Sequence, residues 1–282
     1  MASPPQSQSN ADVETIITLT TDFGIEDAYV AAMKGVIIGI NPRVLIVDVS
    51  HSIEPQNVTQ GAFVLSTVCP YFPDGTIHIG LVDPQVGSQR RAIILKTQRA
   101  VFVAPDNGIL SHIVHHASPE GWHSRAALPP ELQAFEIVNP RFWRHPVSST
   151  FHGRDIFAPV AAHISTGVPL KEFGEAIDSI DLFPPPQPEA LEGGELIGHV
   201  LHIDHFGNVI TDIQRKDIST EKFLLEVAGQ RIESLSQTYD EADALLALIG
   251  SSGHLEIAFR HGSAARFLGI KIGDRVRIGK GR

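Results

Sequence analysis

Apolar runs without polar alternation recur along the first two thirds of the chain, separated by segments in which apolar residues return at helical spacing. Such runs are typical of strands covered on both faces, and the helical spacing predicts the helices that cover them. The alternation predicts an α/β domain at 14–183, with a mainly parallel sheet and helices on both faces. The predicted strands are Thr15–Thr21, Val44–Val49, Thr76–Val82, Arg91–Lys96 and Val101–Val103, and the predicted helices are Asp27–Ile40, Val58–Tyr71 and Asp155–Thr166.

The pattern changes where Pro184–Pro186 and Pro188 follow one another closely. Proline is excluded from helix interiors and central strands, so 184–194 is predicted to be a linker. Beyond it, at 195–282, short apolar runs between glycine-containing turns predict a smaller all-β, barrel-like domain. Residues 1–13 are polar and are predicted to be a disordered tail. The strands predicted for the second domain are Glu195–Ile203, Val209–Ile213, Phe223–Val227, His254–Phe259 and Arg275–Ile278.

Composition excludes several functional classes. The chain has 282 residues, 43% of them hydrophobic, and its net charge of −10 opposes binding to the phosphates of nucleic acids. No apolar run reaches the ~18 residues expected of a membrane span. The one cysteine, Cys69, cannot form an internal disulfide and lies in an apolar run. We therefore expect a cytoplasmic protein that binds neither nucleic acid nor membrane.

Two acids directly follow predicted strands, at the edge where open α/β sheets meet their ligands. Asp22 would accept both hydrogens of a ribose diol, or it caps the following turn or helix. Asp83 lies seven residues before Arg90, across a turn that contains proline and glycine. A buried pair of this kind serves a reaction or ties the loop as a structural salt bridge.

The segment Phe151–Asp155 places a histidine beside a glycine at the start of a predicted helix. His152 can exchange a proton with a water near neutral pH, and Gly153 lets the backbone approach a ligand closely. The alternative is a core histidine that bonds to a carbonyl group. None of the 14 histidines has the spacing of a metal site, so no metal is expected.

In the second domain, Asp204, Phe206 and Asn208 fall within one turn. These residue types can hold an ammonium group, stack on a purine and bond to its edge. A plain hairpin turned at Gly207 and Asn208 explains the same residues. Ser251, before a predicted strand, offers a hydroxyl for a carboxylate or merely forms a turn.

Taken in order, these segments resemble the S-adenosylmethionine (SAM) hydroxide adenosyltransferase family, whose members hydrolyse SAM and which is related to the SAM-dependent fluorinase and chlorinase. The resemblance runs from about Ile16 to the C-terminus. Single motifs are weak, but seven in register are specific. The matching segments are Thr21–Gly24, Asp48–His51, Val82–Ser88, Ala104–Gly108, Phe151–Asp155, Asp204–Asn208 and Ser251–Ala258.

The resemblance implies hydrolysis of SAM to adenosine and L-methionine without a cofactor, since SAM is the substrate. It implies a homotrimer in which each ligand lies between the α/β domain of one subunit and the β domain of its neighbour. Asp83, Arg90 and His152 would activate water, with a cationic Arg90 and His152 stabilising negative charge on its oxygen. The implied substrate contacts are Asp22 for the ribose, with Phe151, Asp204, Phe206, Asn208 and Ser251 for the rest of the molecule.

Two alternatives follow from the same segments. A halide adenosyltransferase is the first, but in those relatives a serine stands where this chain has Gly153, and an anionic Asp83 would repel a halide. A non-catalytic SAM- or adenosine-binding protein is the second, although it has no need of the Asp83, Arg90 and His152 set. The chain departs from the family at Gln85, at Gly250 and at Arg260-His261, and the last leaves the adenine contacts open.

Overall fold

The computed structural model describes residues 15–117, 125–184, 187–192, 194–218, 223–241 and 244–280. The predicted tail at 1–13 and part of the predicted linker lie outside these ranges. The chain divides into two compact units between Phe183 and Pro184. Each unit is described by itself below.

The main sheet of the first unit has the strand order β2-β1-β3-β5-β4-β7-β8. The pairs β1–β2, β1–β3 and β3–β5 are parallel, whereas β4 pairs antiparallel with both β5 and β7, and β7 with β8. A separate ribbon joins β6 and β9. The strands are β1 (Ile16–Thr21), β2 (Leu45–Ser50), β3 (Thr76–Leu81), β4 (Ala92–Lys96), β5 (Ala100–Pro105), β6 (Arg125–Ala127), β7 (Gln133–Glu136), β8 (Ala176–Ile177) and β9 (Ser179–Asp181).

Helices cover both faces of this sheet, as predicted. Because neighbouring residues of a strand face opposite sides, Ile94 of β4 packs in one core with helices α1 and α4, while Ile93 packs in a second core with α2 and α3. The helices are α1 (Tyr29–Ile40), α2 (Val58–Val68), α3 (Ser111–Ala117) and α4 (Ala158–Ser165). Short 3₁₀ turns occur at Cys69–Tyr71, Pro140–Phe142 and Leu170–Glu172.

The predicted helix at Asp155–Thr166 differs in its first turn. It begins as a π-helical turn, Gly153–Phe157, which leads directly into α4. Pro159 is the second residue of α4 and directly follows this π-helical segment. The π-helical turn begins directly after His152 and so sets the orientation of that residue at the start of the helix.

The second unit is an antiparallel sheet with the order β14-β13-β17-β11-β12-β16-β15, to which β10 adds at β11. Its two end strands lie in contact, which makes the sheet a nearly closed barrel, as predicted. The strands are β10 (Glu189–Ala190), β11 (Leu196–Ile203), β12 (Val209–Gln214), β13 (Phe223–Val227), β14 (Gln230–Ile232), β15 (Leu245–Ile249), β16 (His254–Phe259) and β17 (Arg275–Lys280), with a 3₁₀ turn at Arg215–Asp217 and helix α5 at Ala264–Leu268.

Candidate active site

Asp83 and Arg90 form a buried, multiply bonded ion pair. Arg90 Nε donates to both carboxylate oxygens of Asp83, at 2.9 and 2.8 Å, and Nη2 donates to Asp83 Oδ2. The two side chains are only 4% and 5% exposed. The guanidinium carbon also lies 5.2 Å from the centre of the Phe157 ring. A buried pair with this geometry holds the guanidinium in one orientation.

His152 is bonded to this pair through Arg90 Nη2, the same nitrogen that donates to Asp83. The Nη2 atom lies 3.1 Å from His152 Nδ1. A guanidinium can only donate, so Nδ1 accepts and the ring proton is placed on Nε2. Burial lowers the pKa of His152 and the charge of Arg90 lowers it further, against smaller raising effects of Asp83 and Asp155. His152 is therefore neutral at pH 7, which corrects the expectation that it is a cation.

The loop before His152 is held by Asp155, a second buried acid. Asp155 has no exposed surface and accepts from Arg154 Nε at 2.7 Å, Arg154 Nη2 at 2.8 Å, Ser148 N at 2.9 Å and Arg144 Nη1 at 3.3 Å. Burial alone would raise the pKa of Asp155, but the bonds from Arg154 and Ser148 bring it below its ordinary value. This acid is therefore ionised, and it fixes the loop from Arg144 to Arg154.

A glycine brings the loop after β3 against the loop before His152. Gly87 has φ +80°, and a Cβ at this position would collide with the carbonyl oxygen of Ser149. Only glycine accepts this backbone conformation and this approach without strain. The two loops that carry Arg90 and His152 therefore pack directly on each other at Gly87.

Phe151 belongs to an aromatic cluster beside the ion pairs. Its ring lies 5.8 Å from that of Phe23 and 5.1 Å from that of Tyr29, both in edge-to-face arrangements. The guanidinium of Arg154 lies 5.1 Å from its centre. Phe151 thus connects the loop after β1 with the loop that carries His152.

Asp22 follows β1, whose parallel neighbour β3 leads to Asp83. Its Oδ2 accepts from the backbone N–H of Gln56, at 2.8 Å, in the loop before α2. Helix α1 begins after Ala28 without a side-chain cap, so the alternative that Asp22 caps that helix is wrong. Among the described residues no second hydrogen bond of Asp22 is present, and Oδ1 remains as an acceptor.

A polar network beside Asp22 was not singled out as functional from the sequence. Thr21 Oγ1 lies 2.8 Å from His51 Nδ1, and His51 Nε2 lies 2.9 Å from Asp48 Oδ1. Lys34 Nζ donates to Asp48 Oδ2 at 2.5 Å. Burial would raise the pKa of Asp48, but Lys34 and His51 lower it below its ordinary value. Parallel pairing of β1 with β2 brings Thr21 to His51, a contact that no local sequence signal could have found, although Asp48–His51 is one of the segments that resemble the family.

In the second unit, Asp204 and Asn208 are bonded to each other. Asp204 accepts from the backbone N–H of Asn208 at 2.8 Å and from its side-chain Nδ2 at 2.9 Å. Gly207 between them has φ +84°, so the turn between β11 and β12 is the hairpin foreseen as the structural alternative. Phe206, at its tip, is 74% exposed. The turn thus presents one aromatic ring, while Asn208 is buried and held by Asp204.

Ser251 lies exposed at the turn between β15 and β16. Beside this turn, Tyr239 donates to Glu256 Oε1 at 2.6 Å. Burial and the charge of Asp204 raise the pKa of Glu256 despite the Tyr239 bond, and the Glu256 bond raises that of Tyr239 to about 12. A Cβ on Gly250 would lie 2.5 Å from Glu256 Oε2, so the departure at Gly250 makes room for this acid.

Among the described residues, no group of three or more histidine, cysteine, aspartate or glutamate side chains could hold a metal ion. Over the same ranges, no helix is long and apolar enough to cross a membrane. The polar groups that the first unit brings together are thus an ion pair, a neutral imidazole and a nearby free carboxylate oxygen. These groups can bind a polar substrate and stabilise an oxygen nucleophile.

The chain is thus a two-domain protein, with an α/β unit that carries this buried cluster and a small β-barrel unit after it. The family description "SAM hydroxide adenosyltransferase N-terminal domain" matches residues 17–174, and the corresponding C-terminal domain matches 198–277. The chain belongs to the SAM hydroxide adenosyltransferase family.

The named relatives include both hydrolases and fluorinases. The (R)-S-adenosyl-L-methionine hydrolase of Salinispora tropica is 37% identical over 94% of this chain and 98% of its own. A fluorinase of an Actinoplanes species is 28% identical over 96% of this chain and 99% of its own. Among solved structures, an uncharacterised conserved protein of Thermotoga maritima is 34% identical with a TM-score of 0.82, covering 94% of this chain and all of that one.

Proposed function

We propose that this protein hydrolyses S-adenosyl-L-methionine to adenosine and L-methionine by attack of hydroxide on C5′. The observation that carries the proposal is the Asp83–Arg90–His152 cluster, in which Asp83 holds Arg90 and Arg90 is bonded to His152. The hydrolase of Salinispora tropica, at 37% identity, supports the same assignment. Since its name specifies the (R) epimer, both sulfonium epimers are candidate substrates.

The reaction demands little covalent chemistry from the protein. Hydroxide forms a bond to C5′ while the bond from C5′ to sulfur breaks, and its electron pair returns to sulfur to leave neutral methionine. One negative and one positive charge cancel, so the step balances without a cofactor. The protein's contribution is to align the nucleophile and exclude bulk water, which can supply much of the rate.

The cluster assigns a role to each residue. The positive charge of Arg90 stabilises hydroxide in the site, so a bound water loses its proton to solvent more readily. His152 donates from Nε2, because Nδ1 is occupied by Arg90. Asp83 does not act as the base, since its oxygens accept three bonds from Arg90 and hold that side chain in place.

Substrate contacts complete the proposal. The free Oδ1 of Asp22 would accept from a ribose hydroxyl, and Phe151 would pack against the sugar. In the second unit, Phe206 would stack on adenine, Asn208 would bond to its edge, and Asp204 and Ser251 would hold the ammonium and carboxylate of methionine. The four residues of the second unit lie at two turns of the barrel, between β11 and β12 and between β15 and β16.

The test is incubation with each SAM epimer in ¹⁸O-labelled water without halide, followed by chromatography and mass spectrometry. We expect methionine and adenosine that carries ¹⁸O at the 5′ position. Asp83→Asn should reduce kcat by about 10²-fold or more, the range of general acid–base and electrostatic contributions. The matched control is Asp74→Asn, which removes the partner of Arg99 in a pair that is 71% and 57% exposed.

Halide transfer is the second candidate, favoured by the 28% identity to a fluorinase. Two observations oppose it. The anionic Asp83 repels a halide, and a Cβ on Gly153 would lie 2.8 Å from Leu81 Cδ2, so the serine of the halogenases would require the Leu81 side chain to move. Adding fluoride or chloride to the same incubation distinguishes the candidates. A 5′-halo-adenosine product would show halide transfer in place of hydrolysis, and binding without any product would indicate a SAM-binding protein.

A further inference from the structure

The turn that carries Asp22 is held from both sides by one histidine. Before Asp22, Thr21 Oγ1 lies 2.8 Å from His51 Nδ1. After it, the backbone N–H of Gly24 donates to the carbonyl oxygen of His51 at 2.8 Å. The side chain of His51 is only 7% exposed. A buried residue that lies 30 positions beyond Thr21 therefore fixes the backbone on either side of the proposed ribose acid.

Thr21, His51 and Asp48 stand in the order of a nucleophilic triad. His51 Nε2 lies 2.9 Å from Asp48 Oδ1, although this contact is not aligned as a hydrogen bond. A triad nucleophile must reach its substrate, whereas Thr21 has no exposed surface. Its Oγ1 instead accepts from the backbone N–H of Phe23, at 3.3 Å. The set therefore supports the turn and does not form a covalent bond to a substrate.

The segment after His51 also orients the carboxylate of Asp22. The backbone N–H of Gln56 donates to Asp22 Oδ2 at 2.8 Å. Gln56 has φ +67°, a left-handed conformation that is disfavoured for a residue other than glycine. Such conformations persist where the surrounding structure requires them, and they cluster at ligand sites. One loop, from His51 to Gln56, therefore sets both the turn and the orientation of its carboxylate.

The outer end of this network is an exposed ion pair. Lys34 Nζ donates to Asp48 Oδ2 at 2.5 Å, and the two side chains are 32% and 42% exposed. Exposed pairs contribute little to stability, because water screens them and both side chains lose freedom. The buried bond between Thr21 and His51 is therefore the part of the network that substitution can test.

We propose that His51 is a positioning residue of the ribose site, which holds the Asp22 turn so that Asp22 Oδ1 can accept from a ribose hydroxyl of the substrate. His51 acts through Thr21 and the N–H of Gly24 and does not touch the substrate. Because Asp22 is assigned to the ribose under the proposed function, this role of His51 rests on that function. It adds the substrate feature that the loop selects, which is the ribose hydroxyls.

The test measures the binding of adenosine and of 2′,3′-dideoxyadenosine, which lacks both ribose hydroxyls, by isothermal titration calorimetry. Adenosine should bind the unsubstituted protein about 10- to 100-fold more tightly, the value of hydrogen bonds to a charged acceptor. Thr21→Val, which keeps the shape of the side chain, and His51→Phe should bring the two affinities close to equality. His51→Asn should keep the preference, because its amide oxygen can replace Nδ1 as the acceptor.

The matched controls come from an equivalent bond on the same strand. Thr18 Oγ1 lies 2.7 Å from His78 Nδ1, and both residues are fully buried, as Thr21 is. Thr18→Val and His78→Phe remove this bond, which is made four residues before Asp22, and they should keep the preference for adenosine. Thermal melting of every variant measures how much stability each bond supplies.

These measurements can contradict the role of His51 in two ways. Retained preference in Thr21→Val, or an equal loss in Thr18→Val, would show that the His51 bond is only structural. No preference in the unsubstituted protein, or a preference that survives Asp22→Ala, would remove the ribose site itself. Failure of the proposed function gives a different result, because SAM would then not be hydrolysed while adenosine is still preferred through Asp22 and His51.

Discussion

At the scale of single residues, the protonation of His152 decides what the cluster can do. The ring is held between a guanidinium that donates to Nδ1 and a buried environment that disfavours charge. A protonated ring would lose that bond and repel Arg90. Its neutral form is therefore the one that fits the site.

This leads to a prediction about pH. Because the pKa of His152 is lowered, activity should persist as pH falls to ~6.5, the ordinary histidine value, and decline only below it. An NMR titration of the His152 ring should show a midpoint below that of a free histidine. In Arg90→Gln the midpoint should rise, because the repelling charge is gone while Asp83 and Asp155 remain.

A midpoint in the unsubstituted protein above the ordinary value would contradict the neutral assignment. His152 would then act as a cation, and the roles of Arg90 and His152 would have to be exchanged or shared. The Arg90→Gln comparison separates this case, because a cationic histidine held by Asp83 would change little when Arg90 is removed.

At the scale of elements, the site depends on two loops that meet at Gly87. The loop after β3 carries Arg90, and the loop before the π-helical turn carries His152. Their contact needs the left-handed conformation of Gly87 and its lack of a Cβ.

Gly87→Ala should therefore damage both stability and catalysis. The left-handed conformation alone costs about 1–2 kcal/mol for an L-residue, and the collision with Ser149 adds a displacement of the His152 loop. The matched control is Gly75→Ala, since Gly75 has φ +87° but open space where its Cβ would lie. Melting temperature and kcat measured on both separate the two effects.

We expect Gly75→Ala to lower only the melting temperature. Gly87→Ala should lower the melting temperature further and also reduce kcat, because Arg90 and His152 lose their positions relative to each other. Equal behaviour of the two variants in both measurements would show that the loop contact does not position the site.

At the scale of the whole molecule, the proposed site draws on side chains from both units. The family resemblance implies a trimer in which the two halves of each site come from neighbouring subunits. We propose the same assembly for this protein, and it makes a prediction that activity assays can check.

Two inactive variants should restore activity when they are mixed. His152→Ala impairs the first unit and Asp204→Ala the second. After subunit exchange at equal concentrations, roughly a quarter of the neighbouring pairs in a cyclic trimer combine two intact halves. About that fraction of activity should return, with a trimer mass by light scattering.

No recovery despite proven exchange would mean that each site is built within one chain. A monomer or dimer mass would exclude the trimer directly. As a control, a mixture of His152→Ala with Asp83→Asn should stay inactive, because both substitutions lie in the first unit.

The sequence by itself determined the elements and the classes of chemistry. Uninterrupted apolar runs predict strands covered on both faces. The strands of the first unit and the two-sided helix packing were confirmed, but β2 lies at the edge of the sheet and has no buried residue. The edge of the sheet at β4, β7 and β8 was not foreseen as antiparallel, because a pattern of apolar residues carries no strand direction. Spacing along the chain also brought Asp83 and Arg90 together, since a seven-residue separation across one turn is a local property.

Only the tertiary structure decided which distant groups meet and in which protonation state. The bond of Arg90 to His152 spans 62 residues, and the contact of Thr21 with His51 arises from the pairing of parallel strands. Burial, which lowers the pKa values of His152 and His78, is a property of packing around a ring and not of its neighbours in sequence. Residue types therefore set what chemistry is available, while three-dimensional proximity and the loss of solvent set which of it operates.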